Sequence, residues 1–193
     1  MDKPFNYKRI AIIGAAGSGK TTLGRALSKR LGLPLIELDA LYWEPDWTPA
    51  FVMDFRERVE QTTAATAWIA DGNYHTSRDI VWARAEALIW LDYGLWLSLG
   101  RVLRRTMQRV RTREELWNGN RENVWNQLRF WSNDSLIYWF FKTYWRRKRE
   151  IPMLLKLDEN KHLNLLHFKS PRELDEWLEG TITPPSSSSP PIA

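Results

Sequence analysis

The sequence predicts an α/β domain built on an open parallel sheet, and three observations carry that expectation. A short apolar, β-branched run, Arg9-Ile10-Ala11-Ile12-Ile13, leads into the glycine-rich stretch Gly14-Ala15-Ala16-Gly17-Ser18-Gly19-Lys20-Thr21, and residues 22–31 continue with helical spacing. Residues 34–39, 67–71 and 87–92 are further apolar runs, and each ends in a carboxylate: Asp39, Asp71 and Asp92. At 193 residues the chain is long enough for one well-buried domain and short for two.

The elements follow in order. Residues 1–7 read as a loose leader before the first strand. The helix after the glycine-rich loop ends near Leu31, with Gly32 as its C-cap. The aromatic stretch 41–49, broken by Pro45 and Pro49, reads as a loop, and Phe51, Phe55 and Val59 recur at helical spacing in a segment that fades by Thr66. Residues 95–111 form a long helix with Arg101, Arg104, Arg105 and Arg109 three or four apart, hence on neighbouring parts of its surface. Asn118-Gly119-Asn120 interrupts the pattern, and residues 124–149 resume as an aromatic-rich helix. Residues 151–157 read as a further apolar helical stretch and residues 162–168 as the last core strand. Ser170-Pro171-Arg172-Glu173 then carries a helix start, with Ser as cap, Pro at the first position and Glu three residues on. In that helix Leu174, Trp177 and Leu178 face the core, and residues 181–193, rich in Pro and Ser, read as a disordered tail. The domain organisation is thus one unit over residues 1–180, with an inserted lid at about 101–150.

Chemistry concentrates at the glycine-rich loop, which satisfies the pattern G-x-x-x-x-G-K-[ST] between a strand and a helix and so reads as a P-loop. The glycines let backbone N–H groups close around phosphate oxygens, the helix N-terminus adds positive potential, and Lys20 adds a full charge. Residues 14–22 are therefore the expected triphosphate cradle, with the Thr21 hydroxyl placed for Mg²⁺. In an open parallel sheet the strand C-termini share one edge with the loop, so Asp39, Asp71 and Asp92 are expected along the same crevice. The guanine-reading pattern N-K-x-D is absent, since Asn160-Lys161 is followed by His162-Leu163, which favours ATP.

Composition bounds the alternatives. There is no Cys, which excludes disulfides and thiolate metal sites and agrees with a cytoplasmic setting. The most apolar long segment, residues 87–100, is shorter than a membrane span and contains Asp92. The formal charge of +5 is unevenly spread, because residues 101–150 hold thirteen Lys and Arg against five Asp and Glu, leaving the remainder acidic. Such a surface attracts polyanions.

These residues together resemble the adenylate-kinase-like branch of small P-loop kinases, and within it bacterial proteins labelled DNA topology modulation protein FlaR. The resemblance rests on residues 14–22, Leu38-Asp39-Ala40-Leu41-Tyr42-Trp43, Asp71-Gly72-Asn73-Tyr74, Ile89-Trp90-Leu91-Asp92, the arginine run through Arg113, Asn118-Gly119-Asn120-Arg121-Glu122 and Ser170-Pro171-Arg172-Glu173. It implies a three-layer P-loop NTPase fold, with a five-stranded parallel sheet in order 2-3-1-4-5 and an Arg-rich helical lid. It places Asp71 beside the P-loop as a water-mediated Mg²⁺ ligand, with Asp92 as the second candidate, and likens Arg101 and Arg105 to the pair that contacts ATP phosphates. Arg101, Arg105 and Arg109, with Arg111 or Arg113, are then expected to close over the triphosphate. Adenylate kinases follow the Asp-Gly with Phe-Pro-Arg, which grips the acceptor phosphate. Asn73-Tyr74-His75 stands here instead, so the acceptor contacts fall to Asp39, Tyr42, Trp43 and Asn73, and the acceptor itself is open.

The expected activity is transfer of the γ-phosphoryl group of ATP to a nucleotide or small metabolite. The alternative is a nucleotide-gated nucleic-acid binder, supported by the basic segment with Trp117, Trp125, Trp131, Trp139, Tyr144 and Trp145. Against it, aromatics at helical spacing ordinarily form a core, and Arg146-Arg147-Lys148-Arg149 reads as a solvated helix end.

Overall fold

The computed structural model describes residues 5–112, 114–121 and 136–181. The chain runs β1 (Arg9–Gly14), α1 (Lys20–Leu31), β2 (Leu35–Glu37), α2 (Leu38–Tyr42), β3 (Trp43–Glu44), β4 (Thr48–Pro49) and α3 (Val52–Thr63). It continues through β5 (Trp68–Asp71), α4 (Arg78–Arg84), β6 (Ala87–Leu91), α5 (Leu95–Thr112), α6 (Leu136–Leu154), β7 (Asn164–Phe168) and α7 (Pro171–Thr181). Five strands form one sheet in the order β2-β5-β1-β6-β7, every neighbouring pair parallel, while β3 and β4 make a separate antiparallel hairpin. Counted along the chain, the main-sheet strands lie in the expected order 2-3-1-4-5.

β1 shows why the sheet sits between two helical layers. Its residues alternate between faces, and both faces are buried, so the run is apolar throughout rather than alternating with polar residues. Ile10 and Ile12 pack with Leu23 and Leu27 of α1, Phe168 of β7 and Leu174 of α7. Ala11 and Ile13 pack on the other face with Phe55 and Val59 of α3, Val81 and Trp82 of α4, and Ile151 of α6. A smaller cluster, Val102, Phe140 and Tyr144, joins α5 to α6 and carries Ala15 and Ala16 of the glycine-rich loop on its edge.

Several boundaries differ from the sequence expectation. The second strand stops at Glu37, so Asp39 is not strand-terminal but lies in the first turn of α2. The proline-broken stretch 41–49 is not merely a loop: it contains the β3–β4 hairpin, closed by Ala50 N–H donating to the Tyr42 carbonyl at 2.8 Å. Helix α4 is an element the sequence pattern does not predict, being only seven residues long. The stretch 151–157 is not a separate helix; α6 continues through Pro152 to Leu154. The cap assignments hold, with Gly32 left-handed at φ 68° and Glu173 N–H reaching Ser170 Oγ at 3.3 Å. Arg113, residues 122–135 and the tail beyond Thr181 lie outside the described residues. Among those described, no helix is long and apolar enough to cross a membrane.

Candidate active site

The phosphate-binding loop lies where β1 meets α1, at the C-terminal edge of the sheet. Gly17 has φ 74°, and a Cβ there would come within 2.3 Å of the Ser98 carbonyl and 2.7 Å of Val102 Cγ2. Both the backbone conformation and the close approach of α5 therefore require glycine. Gly19, at φ 91°, turns the chain into α1, whose first-turn N–H groups lack intrahelical partners. Thr22 is exposed in that first turn, while Ser18 is buried with its hydroxyl unpaired among the described residues.

Lys20 returns over the loop and donates to the Ala15 carbonyl at 3.0 Å. Burial lowers its pKa from 10.5 to about 8; the Asp71 and Asp39 carboxylates oppose that shift, and the Arg147 and Arg105 guanidiniums add to it. Beside Lys20, Thr21 Oγ1 donates to Asp71 Oδ2 at 2.5 Å. Asp71 is buried and its pKa is raised by desolvation, against the pull of Lys20 and the Thr21 hydroxyl. Its other oxygen, Oδ1, accepts no hydrogen bond among the described residues. A hydroxyl and a carboxylate with a spare buried oxygen match the oxygen-donor preference of Mg²⁺, which keeps several of its waters. Asp92 does not join them. It accepts from Lys148 Nζ at 3.0 Å and faces His167 Nε2 at 3.1 Å, an arrangement that ties α6 and β7 to the end of β6.

Across the crevice, Asp39 accepts a hydrogen bond from the Tyr74 hydroxyl at 2.5 Å. Burial and the neighbouring Asp39 carboxylate both push the Tyr74 phenol upward, so it stays protonated as a donor. Tyr42 packs on Tyr74 with ring centroids 4.5 Å apart, and Trp43 meets Tyr42 edge-on at 5.0 Å. Asn73 follows Gly72 with its amide nitrogen and oxygen both buried and without partners among the described residues.

The basic run on α6 departs from the expected solvated helix end. Arg147 points inward, its Nη1 donating to the Gly14 carbonyl at 3.4 Å. Burial lowers its pKa from 12.5 to about 10, with Arg146 adding to the drop and Asp39 and Tyr74 opposing it. A signal was present in the sequence: Phe140, Tyr144 and Ile151 are buried and Arg147 shares their helical stripe, so a charge sat on an apolar face. Of the α5 arginines, Arg101 lies over the Tyr93 ring at 5.7 Å, with Nη1 3.8 Å from the position of a Cβ on Gly19. Arg105 is close enough to bear on Lys20, whereas Arg109 engages Glu114 at 3.5 Å.

The segment after α5 docks on the β3–β4 hairpin. Asn120 is buried: its Oδ1 accepts from Trp47 N–H at 2.7 Å, and its Nδ2 donates to the Glu44 and Trp117 carbonyls at 2.8 and 2.9 Å. Trp117 Nε1 donates to Glu37 Oε2 at 2.8 Å, and Asn118 Nδ2 donates to the Trp43 carbonyl at 2.5 Å. Asp46, Trp47 and Asn118, the non-glycine residues with positive φ among those described, all lie in this clasp. Such backbone costs about 1–3 kcal/mol per residue and persists where surrounding contacts hold it.

The shikimate kinase family model matches residues 16–50, from the loop through the hairpin. The chain is 31% identical over 104 residues to the Bacillus subtilis protein YqaC, across 53% of this chain and 58% of that one. It is 47% identical over 34 residues to the shikimate kinase of Ruegeria pomeroyi, across 18% of this chain and 17% of that one. The chain therefore spans less than two thirds of these curated relatives. Among solved structures, the shikimate kinase of Acinetobacter baumannii in complex with shikimate superposes with TM-score 0.51 at 16% identity, covering 89% of this chain and 90% of that one. The shikimate kinase of Bacteroides thetaiotaomicron gives 0.52 at 17% identity, covering 90% and 99%. At these identities the likeness is one of fold: an α/β fold with a five-stranded parallel sheet, shared with P-loop kinases.

Proposed function

We propose that this protein is a small P-loop kinase that transfers the γ-phosphoryl group of ATP to a hydroxyl of a small-metabolite acceptor. One observation carries the reading: at the P-loop, Thr21 Oγ1 donates to Asp71 Oδ2 at 2.5 Å beside Lys20, and Arg147 of α6 reaches the Gly14 carbonyl of the same loop at 3.4 Å. The family match supports it, because residues 16–50 include Lys20, Thr21, Asp39 and Tyr42. The finer likeness to FlaR-labelled proteins rests on the Asp39–Trp43 and Asn118–Glu122 stretches and adds no acceptor.

On nucleotide binding, Lys20 exchanges the Ala15 carbonyl for phosphate oxygens, and the α1 N–H groups complete the cradle. Thr21 and Asp71 are the residues that would hold Mg²⁺, which would supply positive charge against the phosphates. Arg101 and Arg105 add cations from the α5 side, while Arg109 braces Glu114. The acceptor hydroxyl takes the place of the Tyr74 hydroxyl on Asp39, beside Tyr42, Trp43 and Asn73. Its oxygen attacks the γ-phosphorus, the bond from that phosphorus to the bridging oxygen breaks with its electrons going to ADP, and the hydroxyl proton passes to Asp39. Arg147 supplies a fixed cation beside the transferring group.

Of the aromatics and cations behind the nucleic-acid alternative, Tyr144 is buried, Trp117 is bonded to Glu37, Arg147 reaches the Gly14 carbonyl and Trp145 is exposed, while Trp125 and Trp131 lie outside the described residues. A cytoplasmic setting, where ATP is plentiful, suits the cysteine-free chain. The test is acceptor-dependent ADP release with Mg²⁺ and ATP across hydroxylated acids, sugars and nucleosides. At least one acceptor should raise turnover well above hydrolysis in water. Turnover equal to that of Lys20→Ala with every acceptor would overturn the reading.

A further inference from the structure

Helix α5 packs against the rest of the fold along one side. Leu95, Leu99 and Val102 meet α6 and the glycine-rich loop, and the Ser98 carbonyl lies over Gly17. On the other side Trp96 is 78% exposed and Met107 70%, with Leu103 exposed between them. Together with Gly100 these residues fall at intervals of four, three and four, the spacing with which one helix presents a seam to another. Nothing inside this chain requires a glycine at position 100: its φ is not positive, and a Cβ there would meet nothing within 4 Å. A glycine in a helix interior costs about 1 kcal/mol relative to alanine, and what it permits is the close approach of another backbone. Arg104 and Arg111 flank the seam, α5 contains no Asp or Glu, and neither arginine has an ion pair among the described residues.

A second exposed apolar group opens α3. Phe51 is 82% exposed and Met53 77%, with Val52 exposed between them. Three consecutive apolar residues turned to water mark a surface that meets something. Asp54 and Glu57 follow, exposed and without ion pairs among the described residues, whereas Arg56 and Arg58 are held by Asp79 and Glu44 at 2.8 and 2.6 Å. The two surfaces are therefore complementary: α5 sets apolar residues beside uncompensated cations, and α3 sets apolar residues beside uncompensated anions.

We propose that α5 of one copy of this chain packs across the start of α3 of a second copy, with Phe51 and Met53 seated on Trp96, Leu103 and Met107 over Gly100, and with Arg104 and Arg111 facing Glu57 and Asp54. Pairing of α5 with a second α5 is disfavoured, because it brings no carboxylate to either arginine. The apolar seam supplies most of the binding energy, while the rim charges steer the encounter and choose the partner surface. Repeated reciprocally about a two-fold axis, the contact closes a dimer; repeated head to tail, it builds a longer assembly. It uses the side of α5 turned away from Arg101 and Arg105 and does not depend on the kinase reading.

Sedimentation equilibrium of the full chain over a range of concentrations tests the contact. The mass should rise above that of one chain as concentration increases, and association should weaken in high salt as the rim charges are screened. Arg104→Glu should weaken association about tenfold, Glu57→Arg should do the same, and mixing the two variants should recover most of the loss, because the reversed charges then meet. Gly100→Leu should abolish association while keeping or raising the melting temperature, which separates blocked docking from unfolding. A single-chain mass at every concentration overturns the proposal. So does association that survives Gly100→Leu, or that is not recovered in the mixture of the two charge variants. Tighter association when the Arg104→Glu variant is mixed with the unsubstituted protein also overturns it, since that result assigns the seam to a second α5.

Discussion

On the donor side of the crevice, consecutive residues from Gly14 to Thr21 do nearly everything, and much of the work is done by backbone. On the side proposed to take the acceptor, Asp39 and Tyr74 come from distant parts of the chain and meet through their side chains, with Arg147 of α6 close enough for its charge to be felt by both. The donor side is held by a tight turn packed against α5, where Gly17 leaves no room for a Cβ. The acceptor side is held by a clasp between the β3–β4 hairpin and residues 115–121, centred on Asn120. The difference teaches that binding triphosphate requires a local backbone shape, whereas choosing an acceptor requires tertiary assembly. Substitutions should separate the two.

The largest effect should come at the donor side. Lys20→Ala is expected to weaken the ATP analogue by about 100-fold or more in calorimetry, because a buried cation facing phosphate has no substitute. The same position carries a cost in the nucleotide-free protein. Its pKa is lowered in the fold to about 8, so protonation opposes folding: stability is least below about pH 8 and rises as pH climbs toward 10.5. Lys20→Met should therefore raise the melting temperature of the nucleotide-free protein at pH 7 while losing nucleotide. A lower melting temperature would show that the Ala15 contact outweighs the burial of charge.

Next comes the acceptor carboxylate. Asp39→Asn keeps the shape and removes the proton acceptor, so kcat should fall by about 10²- to 10⁴-fold with ATP-analogue affinity unchanged. If analogue affinity falls equally, Asp39 belongs with the donor machinery and the division between the sides breaks down.

Arg147→Ala should lower kcat on the order of 100-fold, while Arg149→Ala, two residues on and exposed, should match the unsubstituted protein. The pair isolates helical phase from net charge. Similar losses in both would assign the effect to the electrostatics of the basic run as a whole.

The smallest expected effect is on the clasp. Asn120→Ala removes three hydrogen bonds and leaves the Trp47 N–H without its acceptor, for a loss of about 1–3 kcal/mol by denaturant unfolding. Amide exchange should quicken across residues 43–49 and stay unchanged in β1 and α1. Quickening in α1 would join the two sides into one cooperative unit.

The loop and the α7 cap are legible from sequence because each depends on neighbours within a few residues, whereas the sheet order is an expectation carried by the family resemblance. Ile10 to Ile13 had to be a doubly buried strand, and only a glycine turn into a helix fits residues 14–21. Helix α4 is not legible in the sequence because seven residues give barely two turns of periodicity. Asp39 is expected at a strand end but lies in α2, since Leu38-Asp39-Ala40-Leu41-Tyr42 fits a short helix as readily as a strand end and turn.

By itself, then, the sequence determined a parallel α/β sheet with a glycine-rich P-loop between its first strand and helix and three carboxylates, Asp39, Asp71 and Asp92, as candidates to join it. Only the tertiary structure decided that Asp92 belongs to Lys148 and His167 rather than to the loop, and that Arg147 faces inward while Arg146 and Arg149 do not. The reason is physical. A backbone cradle is encoded in local dihedral preferences, but the partner of a charge depends on which distant element packs across from it, and a long side chain at the end of a strand or helix can reach several.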